Sequence, residues 1–337
     1  MPDQPQLPKG KNDSNPAASE RICSGLLEIP HACRGMRLDK TAAELFPEYS
    51  RSQLAAWIRS GAIQLEGQRV APRHRVAGGE RLELSVELPS REEWLQPQPI
   101  EFQVMYEDAA LLVVNKPAGV VVHPGAGNPD GTLVNGLLAY RPDLTKLPRA
   151  GLIHRLDKDT SGLLVVAATL ASRNALSRAL SAHDIHRHYV AITEGVMTGG
   201  RDIEAAIGRD ARQRKRQQVR PGGRYALTHV RLLQKYRAHS LIEAQLATGR
   251  THQIRVHLSS IGYPLLGDRL YGAKGRLPKT PADELRARIS AFKRQALHAW
   301  RLSFEHPVSG QRIDCEAPLP ADLAGMIDAL KADLASH

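Results

Sequence analysis

The sequence predicts an α+β protein of two domains, on three observations. A short N-terminal stretch switches between helical spacing and strand alternation. Residues 87–100 carry three prolines and no apolar periodicity, as a linker does. The longer remainder is a succession of apolar runs of strand length with a few helical patterns between them. The chain has 337 residues, 42% of them hydrophobic, enough to give each domain a core.

Composition narrows the function classes. A net charge of +11 points to a polyanionic partner. No basic amphipathic helix with a broad aromatic face is evident, which favours nucleic acid over a membrane surface. Aromatic residues are only 4%, too few for recognition by stacked rings alone. The three cysteines, Cys23, Cys33 and Cys315, form no C-x-x-C pair, and a reducing cytoplasm is expected. The 14 histidines show no H-E-x-x-H spacing, so no metal is expected. No apolar run is long enough to span a membrane, and the N-terminus lacks the layout of a secretion signal.

Residues 1–25, rich in Pro, Asn, Ser and charge, read as a disordered tail. The first domain is expected over residues 36–86. Leu38, Ala42, Leu45 and Phe46 follow helical spacing. Ser50 and Gln53 have the spacing of a capping box for a second helix, whose apolar face is Leu54, Ala55 and Ile58 and whose end is Gly61. Ile63 and Leu65 alternate, as do Leu82, Leu84 and Val86 after the turn at Gly78-Gly79. Arg37, Lys40, Arg51 and Arg59 lie on or beside the helices, and Arg69, Arg73 and Arg75 lie in the strand region.

The second domain is expected over residues 101–335. Phe102, Val104 and Tyr106 alternate, and residues 111–114 read as a buried strand. After a turn at 115–119, residues 120–122 read as a further strand, and Thr132 can cap a short helix bearing Leu133 and Leu137. Residues 154–162, H-R-L-D-K-D-T-S-G, form a charged loop between apolar neighbours, followed by a buried strand at 163–168. Thr169 can cap a helix carrying Leu176, Ala179 and Leu180, and residues 186–191 alternate as a strand that includes Tyr189. Residues 209–224 form a basic, glycine-containing loop, either a solvated excursion or a phosphate-binding finger. A strand at 241–246 and a turn at 248–250 lead into a helix beginning at Thr251. There Ile254, Leu258 and Ile261 share the buried face, and His252, Arg255 and Ser259 share another. Leu323, Met326, Ile327, Leu330 and Leu334 make a closing amphipathic helix.

The chemistry concentrates on residues 154–162. If that segment is extended, Asp157 and Asp159 point to the same side. Paired carboxylates are the apparatus for cleaving a glycosidic bond. A nucleoside is a glycoside, so for a basic protein an N-glycosyl bond of RNA is a natural target.

The string H-R-L-D-K-D-T-S-G-L (154–163) closely resembles the signature of the RluA-type pseudouridine synthases. Three further strings are similar to that family in the same order: YEDAALLVVNKPAGVVVHPGAGNPDGTLVNGLL (106–138), GRTHQIRVHLSSIGYPLLGDRLYG (249–272) and RQALHAWRLSFEHP (294–307). RLDKTAAELFPEYSRSQLAAWIRSGAIQLEGQRV (37–70) resembles an S4 RNA-binding domain. The resemblance implies an S4-like domain followed by a catalytic domain on a mixed, mostly antiparallel sheet flanked by helices. It implies cleavage of the C1′–N1 bond of a uridine, rotation of the base and rejoining through C5. Such an isomerisation calls for no cofactor, and no dinucleotide fingerprint or P-loop is present.

By the same resemblance Asp157 is the catalytic carboxylate, Arg255 its cationic partner, and Tyr189 the ring that stacks on the detached uracil. Whether the carboxylate attacks the sugar or promotes elimination stays open. Arg155 would fill the space the flipped base vacates or bind phosphate. His154, Lys116, Arg250, His252, Gln253, Arg51 and Arg59 are candidate RNA contacts. Two of the strings look most like the group acting on large-subunit (23S) ribosomal RNA, so that RNA or its assembly intermediates is the expected partner of a cytoplasmic monomer. An RNA-binding assembly protein without catalysis and a hydrolytic RNA N-glycosidase are the alternatives.

Overall fold

The computed structural model describes residues 21–46, 51–88, 95–125, 128–210, 213, 216–272 and 275–336. The chain divides into two units, Met1–Glu93 and Trp94–His337. In the first, strand β1 (Arg21–Glu28), helices α1 (Leu38–Leu45) and α2 (Arg51–Ser60), and strands β2 (Ile63–Leu65) and β3 (Arg81–Leu88) are described. The strands form an antiparallel sheet in the order β1-β3-β2. The helical and strand spacings seen in the sequence converge on one core: Leu38 and Ala42 from α1, Leu54 and Ile58 from α2, and Ile63, Leu65, Leu82 and Leu84 from the sheet. The strand β1 corrects the expected tail. Residues 21–25 pair with β3 from Arg21↔Leu88 onward, because β3 would otherwise leave one side of its backbone unpaired. Residues 1–20 of that tail, Ser50 of the expected cap and 89–94 of the linker lie outside the described residues.

The second unit contains, in order, β4 (Gln103–Glu107), β5 (Leu111–Lys116), α3 (Leu133–Tyr140), β6 (Ser161–Ala167), α4 (Leu170–Ala182), β7 (His186–Glu194), β8 (Arg201–Glu204), β9 (Ile207–Arg209), β10 (Gln217–Val219), β11 (Leu227–Lys235), β12 (His239–Leu246), α5 (Gln253–Ser260), α6 (Asp283–Ala291), β13 (Leu297–Glu305), β14 (Arg312–Glu316) and α7 (Ala321–Ala335). The main sheet runs β4-β5-β6-β13-β7-β12-β11-β8, with β14 on β13. It is mixed and mostly antiparallel; β6–β13 is its parallel pair. Strands β5 and β6 are buried on both faces, as continuous apolar runs require. Leu112, Val114, Leu164 and Val166 enter a core with α3 and α5, while Leu111, Val113, Leu163 and Val165 enter another with Leu176 of α4.

Three departures from the sequence reading bear on the site. Residues 120–122 form no strand; Val121 makes only a bridge to Thr132, because both sides of β5 are taken by β4 and β6. Residues 96–100 of the expected linker dock on α3, where Asn135 Nδ2 donates to Gln96 O (2.8 Å) and Gln98 N donates to Asn135 O (3.1 Å). The basic 209–224 segment is built on the hairpin β9–β10.

Candidate active site

The loop 154–160 enters from the core and leaves into β6. Its exit depends on Gly162, at φ +116, where a Cβ would sit 2.2 Å from Ala299 O. Only glycine tolerates both the backbone angle and the contact with β13. Strand β13 and the residues before it hold the loop from behind. Ser161 Oγ bonds His298 Nδ1 (2.9 Å), Gln295 Nε2 donates to Thr160 Oγ1 (3.0 Å), and Arg294 Nη1 donates to Asp159 O (3.3 Å).

Lys116, the end of β5, closes the other side. Its side chain is fully buried and its ammonium donates to Pro117 O (2.8 Å), Val120 O (2.9 Å) and Lys158 O (3.0 Å). Burial pushes its pKa down to about 7, with Asp159 and Asp157 pulling it back up. This corrects the expected RNA contact at Lys116: an ammonium with three protons and three carbonyls has none left for phosphate.

Asp157 is thereby presented with 17% of its side chain open. Arg255 on α5 reaches it, Nη1 to Oδ2 at 3.0 Å. The same guanidinium grips Asp268 with its other nitrogens, Nε to Oδ2 at 2.7 Å and Nη2 to Oδ1 at 2.9 Å. Burial opposes the arginine's charge, but the two carboxylates more than offset it and raise its pKa. Burial likewise works against the Asp268 carboxylate. Arg255 and the backbone N–H groups of Leu270 and Tyr271 prevail and hold its pKa below the usual carboxylate value.

Tyr271 organises the remaining face of α5. Ser259 Oγ donates to Tyr271 O (3.1 Å), and the Arg255 guanidinium lies 5.0 Å from the Tyr271 ring centre. Gln217 N–H of β10 donates to Tyr271 Oη at 2.7 Å, so the phenol proton is free for His252 Nδ1 at 2.8 Å. Burial pushes the His252 pKa down, against the pull of Asp157. The neutral ring then carries its proton on Nε2, 3.8 Å from Asp157 Oδ1. Three residues that share a helix face in the sequence, His252, Arg255 and Ser259, thus all meet one tyrosine. The basic segment reaches the same place, since the Arg216 guanidinium lies 5.3 Å from the Tyr271 ring centre.

Tyr189 is buried on β7, opposite Ala244 of β12 and Ala299 of β13. Burial, with the charge of Asp157 adding to it, pushes its phenol up to about 12, while Arg187 pulls it down.

The expected RNA contacts divide. Arg155 is exposed and makes no hydrogen bond or ion pair among the described residues. Arg59 is exposed on α2. Arg51 is half spoken for: its Nη2 bonds Asp39 at 3.0 Å, alongside Arg37. Arg250 donates from Nε to Tyr225 O at 2.9 Å. Two further candidates are corrected. Gln253 is buried with its amide fully used, accepting from Thr248 Oγ1 (2.7 Å) and Arg250 N (3.0 Å) and donating to Leu227 O and Thr228 Oγ1 (both 2.9 Å). His154 accepts weakly from Val165 N at 3.4 Å, and its Nδ1 is buried. Burial, then the charge of Arg187, pushes its pKa down to about 3, so it offers RNA no cation. Gln253 fixes the 248–250 turn instead, and His154 packs against β6.

Asp268 and Tyr271 were not singled out by the sequence reading. The available signal was an acid and a tyrosine set among apolar residues and glycines in GYPLLGDRLYG, a turn with polar groups to satisfy. Among the described residues no cluster of His, Cys, Asp and Glu could hold a metal ion, and no helix is long and apolar enough to cross a membrane.

Comparison with known proteins bears on this geometry. The family model described as RNA pseudouridylate synthase matches residues 110–260, and that of the S4 domain matches residues 36–82. The chain is 50% identical over 320 residues to ribosomal large subunit pseudouridine synthase D of Xanthomonas campestris, covering 94% of this chain and 96% of that protein. It is 48% identical over 306 residues to the protein of the same name from Pseudomonas aeruginosa, covering 91% and 95%. Among solved structures, human RNA pseudouridylate synthase domain containing 1 superposes with a TM-score of 0.52 at 25% identity, over 70% of this chain and 96% of that one.

Proposed function

The chain belongs to the RNA pseudouridylate synthase family, and we infer that it isomerises uridines of large-subunit ribosomal RNA with Asp157 as the catalytic carboxylate. The observation that carries this role is the ion pair at 3.0 Å between Asp157 and a buried Arg255, with the carboxylate still open to a ligand. A carboxylate entering a uracil-sized pocket loses hydration and tends to take up a proton. A guanidinium that is charged at every working pH opposes this and aims the carboxylate. Asp268 anchors that guanidinium from behind, so Asp157 meets a fixed cation and not a mobile one.

The target uridine must leave its stack to reach Asp157, and Arg155, exposed two residues away, is suited to occupy the gap. Tyr189 supplies the apolar wall against the uracil. The S4 domain adds cationic surface for the same RNA. The reading extends to a monomer working in the cytoplasm, where ribosomal RNA is made and assembled.

The test is release of tritium from C5-labelled uridine in large-subunit RNA. Asp157→Asn keeps the size and polarity of the side chain and removes its charge. Release should drop by roughly four orders of magnitude, while the circular dichroism spectrum and RNA affinity stay those of the parent; Asp159→Asn should be far milder. Retained activity in Asp157→Asn would remove the assignment. Free uracil in place of an isomerised base would make the protein a hydrolytic glycosidase instead.

A further inference from the structure

Among the described residues, Arg187 is a buried cation without a counter-ion. It lies on β7 with only 6% of its surface open, and its Nε is buried with no hydrogen-bond partner. Among the described residues it makes no ion pair. Its titratable neighbours, His154 and Tyr189, are neutral, and burial lowers its own pKa. The turn after β12 stands beside it: a Cβ on Gly249 would come within 2.9 Å of Arg187 Nη1. The glycine lets the backbone pass beside the guanidinium without displacing it.

A protein gains nothing in its free state from such a group, since an unpaired buried charge is strongly unfavourable. Its retention is understandable if a ligand brings the missing anion. The position says which anion. Arg187 and Tyr189 are two apart on one strand, so their side chains leave the sheet on the same face. That is the face on which the reading above, on which this inference rests, puts the uracil.

We propose that Arg187 is a further catalytic residue, whose guanidinium binds the carbonyl edge of the detached uracil and stabilises it as an anion. When the C1′–N1 bond breaks, its electron pair goes to N1 and spreads onto O2 and O4. At the sugar, either the Asp157 carboxylate bonds C1′ or C2′ gives up a proton to leave a C1′–C2′ double bond. The cation beside the ring holds the negative charge while the base turns. The pair is returned when C5 bonds to C1′, which releases the carboxylate or, from the glycal, returns a proton to C2′; C5 then gives up its proton and N1 takes one from water. Charge developing in a water-poor pocket is where a fixed cation accelerates a reaction most. A phosphate of the RNA backbone would be the other anion available, but it lies at the mouth of a pocket and not beside a buried ring.

Arg187→Met tests this in the full-length protein, because methionine fills similar apolar volume and removes the unpaired charge. Three quantities are read: thermal midpoint, RNA dissociation constant and single-turnover tritium release at saturating RNA. The midpoint should hold or rise, and the dissociation constant should stay within roughly twofold, while release slows by roughly 100-fold or more. Arg187→Ala should be partly rescued by added guanidinium ion and not by urea, its neutral isostere. A midpoint that falls together with activity, or equal rescue by urea, makes Arg187 a structural residue and overturns the proposal. A weakened dissociation constant with unchanged release makes it a phosphate anchor, which also overturns it. Asp157→Asn is assayed in parallel. If that variant is inactive while Arg187→Met is fully active, this proposal fails alone; if Asp157→Asn is active, the reading beneath it fails.

Discussion

Arg255 shows at the scale of one residue why charge alone does not describe a site. One guanidinium serves two carboxylates, with Nη1 on Asp157 and with Nε and Nη2 on Asp268. Lysine is a point donor that can serve one carboxylate well and not both. Arg255→Lys should therefore slow product formation by roughly 100-fold or more, since the Asp157 carboxylate loses its aim. Arg255→Met should in addition cost about 3–5 kcal/mol of stability, because it strands the fully buried Asp268 carboxylate without a cation. Tritium release and urea denaturation measure the two effects separately; near-parental rates in Arg255→Lys would show that the fork geometry is unimportant. Lys116 and Gln253 carry the converse lesson. Both are polar residues in motif strings, and both are consumed by backbone or side-chain partners inside the protein. Residue type marked them as functional, but only their partners reveal that they hold loops.

At the scale of the element, histidines distributed over separate parts of the catalytic domain make its stability depend on pH. His239 on β12 and His298 on β13 are buried, and burial pushes each pKa down to about 4; His154, in the loop before β6, is pushed to about 3. All three start from 6.5 in the unfolded chain. Between those values the unfolded state binds protons that the folded state refuses. Their contribution is thus complete above pH 6.5 and is lost as the pH falls towards 4. Each should remove about 1.4 kcal/mol per pH unit in that window. Urea denaturation at half-unit steps from pH 7.5 to 5 should show the decline, and His239→Leu should reduce the proton uptake by about one. A flat unfolding free energy over that range would mean that these rings are hydrated. Asp268 cannot produce the same signal, because it titrates below its ordinary value of 3.8, and the buried Glu194, whose pKa burial raises, acts with the opposite sign.

For the whole molecule the governing quantity is the net charge of +11. Part of the cationic inventory of the S4 domain is internal, since Arg37 and Arg51 hold Asp39 and Arg75 donates to Gly35 O. Arg69 is exposed but donates to Arg59 O, which leaves Arg59 and Arg73 as exposed cations with no side-chain partner among the described residues. Removing residues 1–93 should weaken RNA binding and lower the slope of log affinity against log salt by about two to four, as fewer counter-ions are released. The rate on saturating RNA should change much less, because Asp157, Arg255 and Asp268 all belong to the other unit. A salt slope unchanged by the truncation would assign the domain another task.

What the sequence by itself determined is local. Period-3.6 patterns located α1 and α2, and apolar runs of strand length located β5, β6 and β12, because burial writes itself into neighbouring residues. The family resemblance singled out Asp157, Tyr189 and Arg255. Tertiary structure decided what local spacing does not encode. The strand β1 was hidden in a polar tail because its partner β3 lies some sixty residues away. Residues 120–122 are apolar enough for a strand, but both sides of the neighbouring β5 were taken by β4 and β6. The pairing of Asp157 with Arg255, 98 positions apart, the anchoring of Arg255 by Asp268 and the solitary charge of Arg187 are facts of burial and proximity. Desolvation and Coulomb energy depend on distances in space, and sequence separation carries no record of them.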